Sequence, residues 1–409
     1  MTIERLRKWS DRSFVAFLGL GFVIPGEPTW ALWFYLFVMP FGVWFIWRGW
    51  QPDWNDPRLM LLLGLVVWST LSIAWADQSA PGALKQWLWV WNGVCTATYL
   101  LTFTAVAEQS SRVRDRIVVT VVTCAAGNAV LSIVMFLTRH GGSDRLQGFG
   151  ETRNAILGAS IMGLCTIMAL GRAMRGGRWW PLWAGSVPVY LFFVVLTNSR
   201  GPLLALVISC LVLLPRRRVR TYLAGAAMVA VVGVGIVLLA PAVVDTAIQR
   251  IQDRGTSYRL EIWQASIAEI WHRPLLGHGI TATLRIQGEF GHHPHDLYLS
   301  ALFYTGLVGL LLLLAGLGWI LRDLLKRPDS VDRRTCLALL VHLVLSGATD
   351  LSQITKGPGE LWYIVWLPIA YTLGYLRDPA GQDQSRPRIN AKAWATVAAR
   401  IPERSPGKI

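Results

Sequence analysis

The chain has 409 residues, of which 53% are hydrophobic and 15% are charged, and its mean hydropathy is +0.43. This composition excludes an ordinary soluble enzyme and is typical of a protein built into a membrane. The net charge of +15 at pH 7 is attributed to basic loops that orient such a protein and contact anionic membrane lipids, so no nucleic-acid partner is expected.

Apolar segments recur along the chain, each of roughly the 17–25 residues that a helix needs to cross a membrane. They predict an all-α polytopic membrane protein with about twelve transmembrane helices, the first nine of them within residues 1–240. We place the spans at about residues 13–26, 29–49, 58–76, 86–107, 116–138, 155–171, 179–198, 202–214, 219–240, 297–321, 335–351 and 361–376. Tryptophans near the segment ends are predicted to lie at the membrane interfaces, namely Trp30, Trp44, Trp47, Trp50, Trp179, Trp180, Trp362 and Trp366. The five cysteines fall within spans, so we expect no structural disulfide.

Basic residues predict the orientation of this bundle. With the amino terminus in the cytoplasm, more than half of the 39 Lys and Arg residues fall on the cytoplasmic side, as the positive-inside rule requires. Both termini are therefore predicted to be cytoplasmic. The basic residues that remain on the outer side are not explained by this rule, and they are the candidates for function.

Outer arginines occur in two places in the first half of the chain. Arg139, Arg145 and Arg153 lie in one predicted loop; solvated loop charge is their simpler interpretation, and substrate binding by Arg145 and Arg153 is the functional one. Arg200 lies in Leu196-Thr-Asn-Ser-Arg-Gly-Pro202, where two spans meet. A lone arginine at this depth costs at least about 2.5–3.5 kcal/mol unless it finds an anionic partner or water, so Arg200 is either a snorkelling interfacial residue or part of an anion site.

Residues 241–296 predict the one long outer loop, which precedes the tenth span and has a helical middle. Leu260, Trp263, Ile267 and Ile270 recur at helical spacing, so we expect them on one face of an amphipathic helix that lies along the outer interface or caps the bundle. Thr256 or Ser257 can cap this helix, and Arg259 lies early in it, where it could simply pair with Glu261 or Asp253, or could bind substrate.

Histidines are concentrated where this loop meets the tenth span. His292, His293 and His295 could hold a metal, but no cysteine is near, and adjacent histidines rarely converge on one ion. The alternative is a single catalytic base, His295, next to the predicted helix cap Asp296, because the partial positive charge of a helix N-terminus favours a neutral imidazole. His140, His272 and His278 have no such setting, and His342 is predicted to make a buried polar contact within a span.

The last part of the chain, residues 297–378, predicts the remaining three spans, and residues 379–409 form a polar, basic tail that we expect to be cytoplasmic and disordered. Asp350 precedes the last span on the outer side and is a further candidate substrate-binding residue. No acidic cluster is evident on that side, so we expect neither a metal nor another cofactor.

Four elements in order resemble the O-antigen ligase superfamily of bacterial inner-membrane proteins. They are Ser199-Arg200-Gly201, Arg259 with Trp263, Pro274-Leu-Leu-Gly-His-Gly279, and His295-Asp296-x-x-Leu299 followed by Gly306-x-x-Gly309. The resemblance covers about residues 145–310. The family usually has Asn after the histidine, and here the residue is Asp296.

This resemblance implies a GT-C-like glycosyltransferase that moves polysaccharide from undecaprenyl pyrophosphate to a sugar hydroxyl of lipid A–core on the periplasmic face. With this reaction, His295 is the expected general base and Arg200 and Arg259 are the expected pyrophosphate clamp. Arg145, Arg153, Trp263 and Asp350 are the candidate substrate-binding residues. The alternatives are an O-antigen or exopolysaccharide polymerase, a protein O-oligosaccharyltransferase and, from a different class, a transporter of lipid-linked sugars.

Overall fold

The computed structural model describes residues 2–48, 50, 52–76, 83–138, 145–215, 259–284 and 293–378, and its regular structure within them is entirely helical. In chain order the helices are α1 (Ile3–Leu20), α2 (Glu27–Trp33), α3 (Met39–Arg48), α4 (Pro57–Leu71), α5 (Ala83–Glu108), α6 (Ser111–Thr138), α7 (Ala155–Met174), α8 (Trp180–Leu196), α9 (Arg200–Leu213), α10 (Arg259–Ile270), α11 (Leu297–Lys326), α12 (Val331–Asp350) and α13 (Leu367–Arg377). Two π-helical turns extend this pattern: Phe34–Val38 joins α2 to α3, and Trp362–Trp366 leads into α13.

Six segments of the described chain are long and apolar enough to cross a membrane. They are Pro28–Arg48, Pro57–Trp75, Gln86–Glu108, Ser111–Thr138, Ala155–Met174 and Leu297–Lys326, and α8 and α9 are shorter apolar helices. The predicted all-α polytopic class is thus confirmed, whereas the count of twelve spans and the periplasmic loop remain predictions. The predicted first span, residues 13–26, coincides with a helix only in part, because α1 runs from Ile3 to Leu20. The predicted ninth span and the tail lie outside the described residues.

Aromatic side chains form the centre of the bundle. Trp30 stacks on Phe17 with ring centroids 4.3 Å apart, and Trp362 packs on Tyr99 at 4.4 Å. Trp30, Trp362 and Trp366 are completely buried or nearly so, and Trp30 donates its indole N–H to the Phe17 carbonyl at 2.8 Å. These three side chains therefore pack in the protein interior and do not face lipid as interfacial anchors would, since tryptophan near the end of an apolar segment serves a core equally well when its N–H finds a partner.

Helix α7 lies inside the bundle and packs against α6, α8, α9 and α12. His342 of α12 is fully buried and places Nε2 2.8 Å from the Ser160 carbonyl oxygen of α7. The predicted buried polar contact is confirmed, and it ties two apolar helices together where a side-chain hydrogen bond has no water to compete with it. All five cysteines lie in helices and are free, as expected.

One end of the bundle carries a network of buried ion pairs, which we call the ion-pair end. Asp56 caps α4 and accepts hydrogen bonds from Arg58 Nε at 2.8 Å and from Arg377 Nη2 at 2.6 Å. Arg114 pairs with Asp378 there. These contacts join the starts of α4 and α6 to the end of α13. The candidate site lies at the opposite end of the bundle.

Candidate active site

The amino-terminal end of α11 is capped by Asp296, and His295 directly precedes this cap. Asp296 Oδ1 accepts hydrogen bonds from the backbone N–H groups of Tyr298 and Leu299, each at 2.8 Å, so the predicted cap is confirmed. Burial raises the pKa of Asp296, although both of these N–H donors act to lower it. His295 itself has a φ of +53°, a left-handed conformation that is uncommon for a side chain of this size and concentrates at functional sites.

Asp350, the last residue of α12, connects two of the predicted catalytic residues. Its Oδ1 lies 3.1 Å from His295 Nδ1, and its Oδ2 accepts a hydrogen bond from Arg259 Nη2 at 3.2 Å. The exposed fraction is 10% for the Asp350 side chain, 30% for Arg259 and 34% for His295. The Asp350 carboxylate is thus mostly buried, whereas the Arg259 and His295 side chains remain accessible to an incoming molecule. With Nδ1–H donated to Asp350, His295 Nε2 is free to accept a proton.

Arg259 therefore pairs across the fold rather than within its own helix. The structure does not join it to Glu261, and Asp253 lies outside the described residues. The pair links α10 to α12, two elements separated by 91 positions in the chain. The sequence near Arg259 does not indicate Asp350 as its partner, because on sequence grounds Asp350 is a candidate only for substrate binding.

A second imidazole lies against the first. The rings of His293 and His295 are 3.9 Å apart between centroids and meet edge to face. Burial lowers the pKa of His293, and the adjacent His295 lowers it further. Within the described residues no group of three or more His, Cys, Asp or Glu side chains is arranged to hold a metal ion, and His292 lies outside them.

Arg200 starts α9 next to the same end of α12. The neighbouring Gly201 lies against Thr349, because a Cβ added at Gly201 would be 2.8 Å from the Thr349 Cβ. The Arg200 side chain is exposed, and its guanidinium forms no ion pair or hydrogen bond with the residues that the structure describes. A second arginine is therefore positioned near Asp350 by its backbone, and its charge is not used by the pairs seen there.

Arg145 supports the turn that carries Arg200. Its Nε donates to the Thr197 carbonyl at 2.9 Å and its Nη2 to Ser199 Oγ at 3.0 Å. The side chain is half-buried, so the simpler interpretation of a solvated loop charge was wrong for this residue. Arg153 is exposed just before α7, and Arg139 lies outside the described residues.

A break in α11 explains the glycine motifs that carried the family resemblance. Gly306 has φ +65° and ψ −167°, which interrupts the helix. The Pro274–Gly279 segment fills the break: the N–H groups of His278 and Gly279 donate to the carbonyls of Phe303 and Tyr304 at 2.8 and 2.9 Å, and Leu307 N–H donates to the Pro274 carbonyl at 2.8 Å.

Glycine is needed on both sides of this junction. Gly277 has φ +72°, and a Cβ there would lie 2.5 Å from the Gly306 nitrogen, while a Cβ on Gly306 would lie 2.2 Å from the Leu275 carbonyl oxygen. Trp68 of α4 donates its indole N–H to the Thr305 carbonyl at 2.9 Å. These residues serve architecture: they fix the end of α10 to α11, and through it the position of Arg259 relative to His295.

Trp263, the remaining predicted substrate-binding residue, is half-buried on α10. It packs with Ile262 against Phe303 and Tyr304 at the α11 break. Its indole nitrogen is buried without a hydrogen-bond partner among the described residues. Sequence reasoning overlooked Lys356, an exposed residue after α12 whose charge acts on His293. A single lysine in a loop offers no signal that would have distinguished it.

The helices and the site together define an integral membrane protein whose polar residues converge at one end of the bundle. A family model described as O-antigen ligase matches residues 185–314, which include Arg200, Arg259 and His295, and a family of unknown function matches residues 27–172. The chain is also similar to an O-antigen ligase of Pseudomonas aeruginosa, at 28% identity over 336 residues that cover 78% of each chain. Over residues 185–314 this chain is therefore similar to the O-antigen ligase family. Asp350 lies outside both matched segments.

Proposed function

We propose that this protein transfers O-antigen polysaccharide from undecaprenyl pyrophosphate to a sugar hydroxyl of lipid A–core, at the periplasmic face of the bacterial inner membrane. The observation that carries the proposal is the convergence of His295, Arg259 and Asp350 at one end of the bundle, with Arg200 beside it. The match to the O-antigen ligase family model indicates the reaction class, and these residues supply the groups that such a reaction needs.

His295 is the proposed general base. The acceptor hydroxyl must lose its proton as its oxygen attacks the anomeric carbon of the donor sugar, and His295 Nε2 receives that proton. Asp350 holds the Nδ1 side of the ring at 3.1 Å and stabilises the imidazolium that forms. Because its second oxygen binds Arg259, the same carboxylate sets the position of the base and of one arginine.

Arg259 and Arg200 are the proposed pyrophosphate clamp. As the new glycosidic bond forms, the bond between the anomeric carbon and the pyrophosphate oxygen breaks, and its electron pair leaves with the pyrophosphate. Guanidinium groups bind phosphate oxygens in a bidentate manner and keep their charge at any working pH, so they neutralise the leaving group without a proton. Direct attack of this kind inverts the anomeric configuration. Arg145 supports the clamp by holding the Thr197–Ser199 turn before Arg200.

Reconstitution tests this proposal. The purified chain is incubated with a lipid-linked glycan and with lipopolysaccharide that lacks O-antigen, and both lipid fractions are analysed by gel electrophoresis and mass spectrometry. We expect a ladder of glycan on lipopolysaccharide. Lengthened lipid-linked chains would instead indicate a polymerase, modified protein a protein O-oligosaccharyltransferase, and unchanged products a transporter.

A further inference from the structure

Helix α10 has three distinct surfaces rather than two. Ile262, Ser266 and Ile270 follow each other at four-residue intervals and face the bundle, where Ile262 packs against Phe303 and Tyr304. A second exposed stripe, which we call the polar stripe, carries Glu261 and Gln264 together with the small residue Ala268, which are three and four positions apart. Gln264 lies at the border of this stripe, since it is also four positions from Leu260 and three from Ile267. A helix between a protein core and water needs only these two surfaces.

The third surface is apolar and exposed. Leu260, Ile267 and Trp271 are separated by about two turns and one turn, so they form a single stripe, and their exposed fractions are 53%, 46% and 75%. The predicted single face was therefore wrong in part: Trp263 and Ile270 pack toward the core, whereas Leu260 and Ile267 do not.

This stripe continues onto surfaces that face lipid in a membrane-spanning bundle. Leu275 and Leu276 follow Trp271 and are exposed as well. The Pro274 and Leu275 carbonyls accept hydrogen bonds from Leu307 and Val308 of α11, whose apolar side chains are exposed within a candidate span. His272 and Arg273 border the stripe, as polar residues border the apolar face of helices that lie in a membrane interface.

We propose that Leu260, Ile267, Trp271, Leu275 and Leu276 form a lipid-docking face that inserts into the bilayer leaflet at the site end of the bundle. The occupant is the acyl-chain region of membrane phospholipids. Continuity with the exposed face of α11 supports this occupant over a second protein copy, and the adjoining polar stripe would remain at the headgroup and water level. The inference concerns how the protein contacts its membrane and does not depend on the proposed transfer reaction.

Site-specific photocrosslinking tests the lipid-docking face. A photoreactive phenylalanine analogue is placed at position 267 or, as the matched control, at position 268, which is next in sequence and exposed but belongs to the polar stripe. The full chain is reconstituted in vesicles of phosphatidylethanolamine and phosphatidylglycerol, irradiated, and analysed by mass spectrometry. We expect phospholipid adducts at position 267 and several-fold fewer at position 268.

Four outcomes would overturn the proposal. Equal adduct yields at both positions would show that the stripe has no orientation toward lipid, and absence of adducts at both would place it in water. Crosslinks from position 267 to another copy of the chain would identify a protein interface. A parallel sample with added polyprenyl-linked glycan must keep the phospholipid adduct, because its replacement by a glycolipid adduct would identify the face as a substrate-chain site.

Discussion

The two ends of the helical bundle use arginine in opposite ways. At the ion-pair end, Asp56 is shared by Arg58 and Arg377, and Arg114 is paired with Asp378. At the site end, Asp350 holds Arg259 and His295 only from one side, and Arg200 makes no ion pair among the described residues. The comparison teaches that the same side chain stabilises helix ends where its charge is satisfied internally and remains available to an anion where it is not.

Replacement of His295 should have the largest effect at the site end. His295→Ala removes the proton acceptor, and a general base contributes about 10²–10⁴-fold to a rate. We expect transfer to fall by that factor in the reconstituted assay, with expression and donor binding unchanged. His293→Ala, the matched neighbour, should cost much less because Asp350 still orients the base. Full activity in His295→Ala would leave the proposed mechanism without its base.

The two arginines of the proposed clamp should not tolerate lysine. Arg259→Lys and Arg200→Lys should be nearly as damaging as the alanine variants, about 10²–10³-fold, because a point charge cannot reproduce a bidentate contact with a pyrophosphate. Arg48 is exposed and lies outside the site, so the Arg48→Lys variant is the control and should transfer glycan at the unsubstituted rate. Full activity in the double variant Arg200→Lys/Arg259→Lys would contradict the clamp.

The two carboxylates at the site end have different proposed roles: Asp350 orients the base, whereas Asp296 caps α11. Asp350→Asn should lower transfer roughly 10- to 100-fold, since hydrogen bonds to charged groups contribute about 1.5–3 kcal/mol. Asp296→Asn should keep activity because asparagine still caps α11. Any shift in the acid limb of its pH profile should be downward, since a negative charge near His295 is gone. An inactive Asp296→Asn variant of normal stability would give Asp296 a role beyond the cap.

Arg377→Ala should change stability and leave the rate constant per folded molecule unaltered. Asp56 is buried and would keep only Arg58 as its arginine partner, so the variant should lose about 1–3 kcal/mol of stability. Thermal unfolding in detergent measures this loss, and the transfer assay normalised to folded protein measures the rate. A reduced rate at normal stability would mean that the two ends are coupled.

Chelation should have no effect. The site proposed here neutralises the leaving group with arginine, so transfer in excess EDTA should proceed at the untreated rate. The measurement is the reconstituted assay with and without EDTA, followed by addition of Mg²⁺ or Mn²⁺. Activity lost on chelation and restored by either ion would revive the predicted alternative of a histidine metal site.

The features that the sequence predicts correctly depend on residues close together in the chain. The Asp296 cap and the helix that contains Trp263 follow from neighbouring residues, and both agree with the structure within the part of the chain that it describes. The link from Asp350 to His295 and Arg259 spans 55 and 91 positions, and nothing in either segment specifies the other. Apolar periodicity failed on α10 because a core and a lipid face both select large apolar side chains.

The break at Gly306 is braced from both sides. The short half of α11, which begins at Leu297 just after His295 and Asp296, accepts hydrogen bonds from His278 and Gly279. The long half donates to the same segment, from Leu307 and Val308 to the carbonyls of Pro274 and Leu275. A bilayer of different thickness tilts long helices, and bonds on both sides of the break oppose bending of α11 at Gly306. A tilt of this candidate span should therefore carry His295 and the end of α10 with it, so that the base and Arg259 move together.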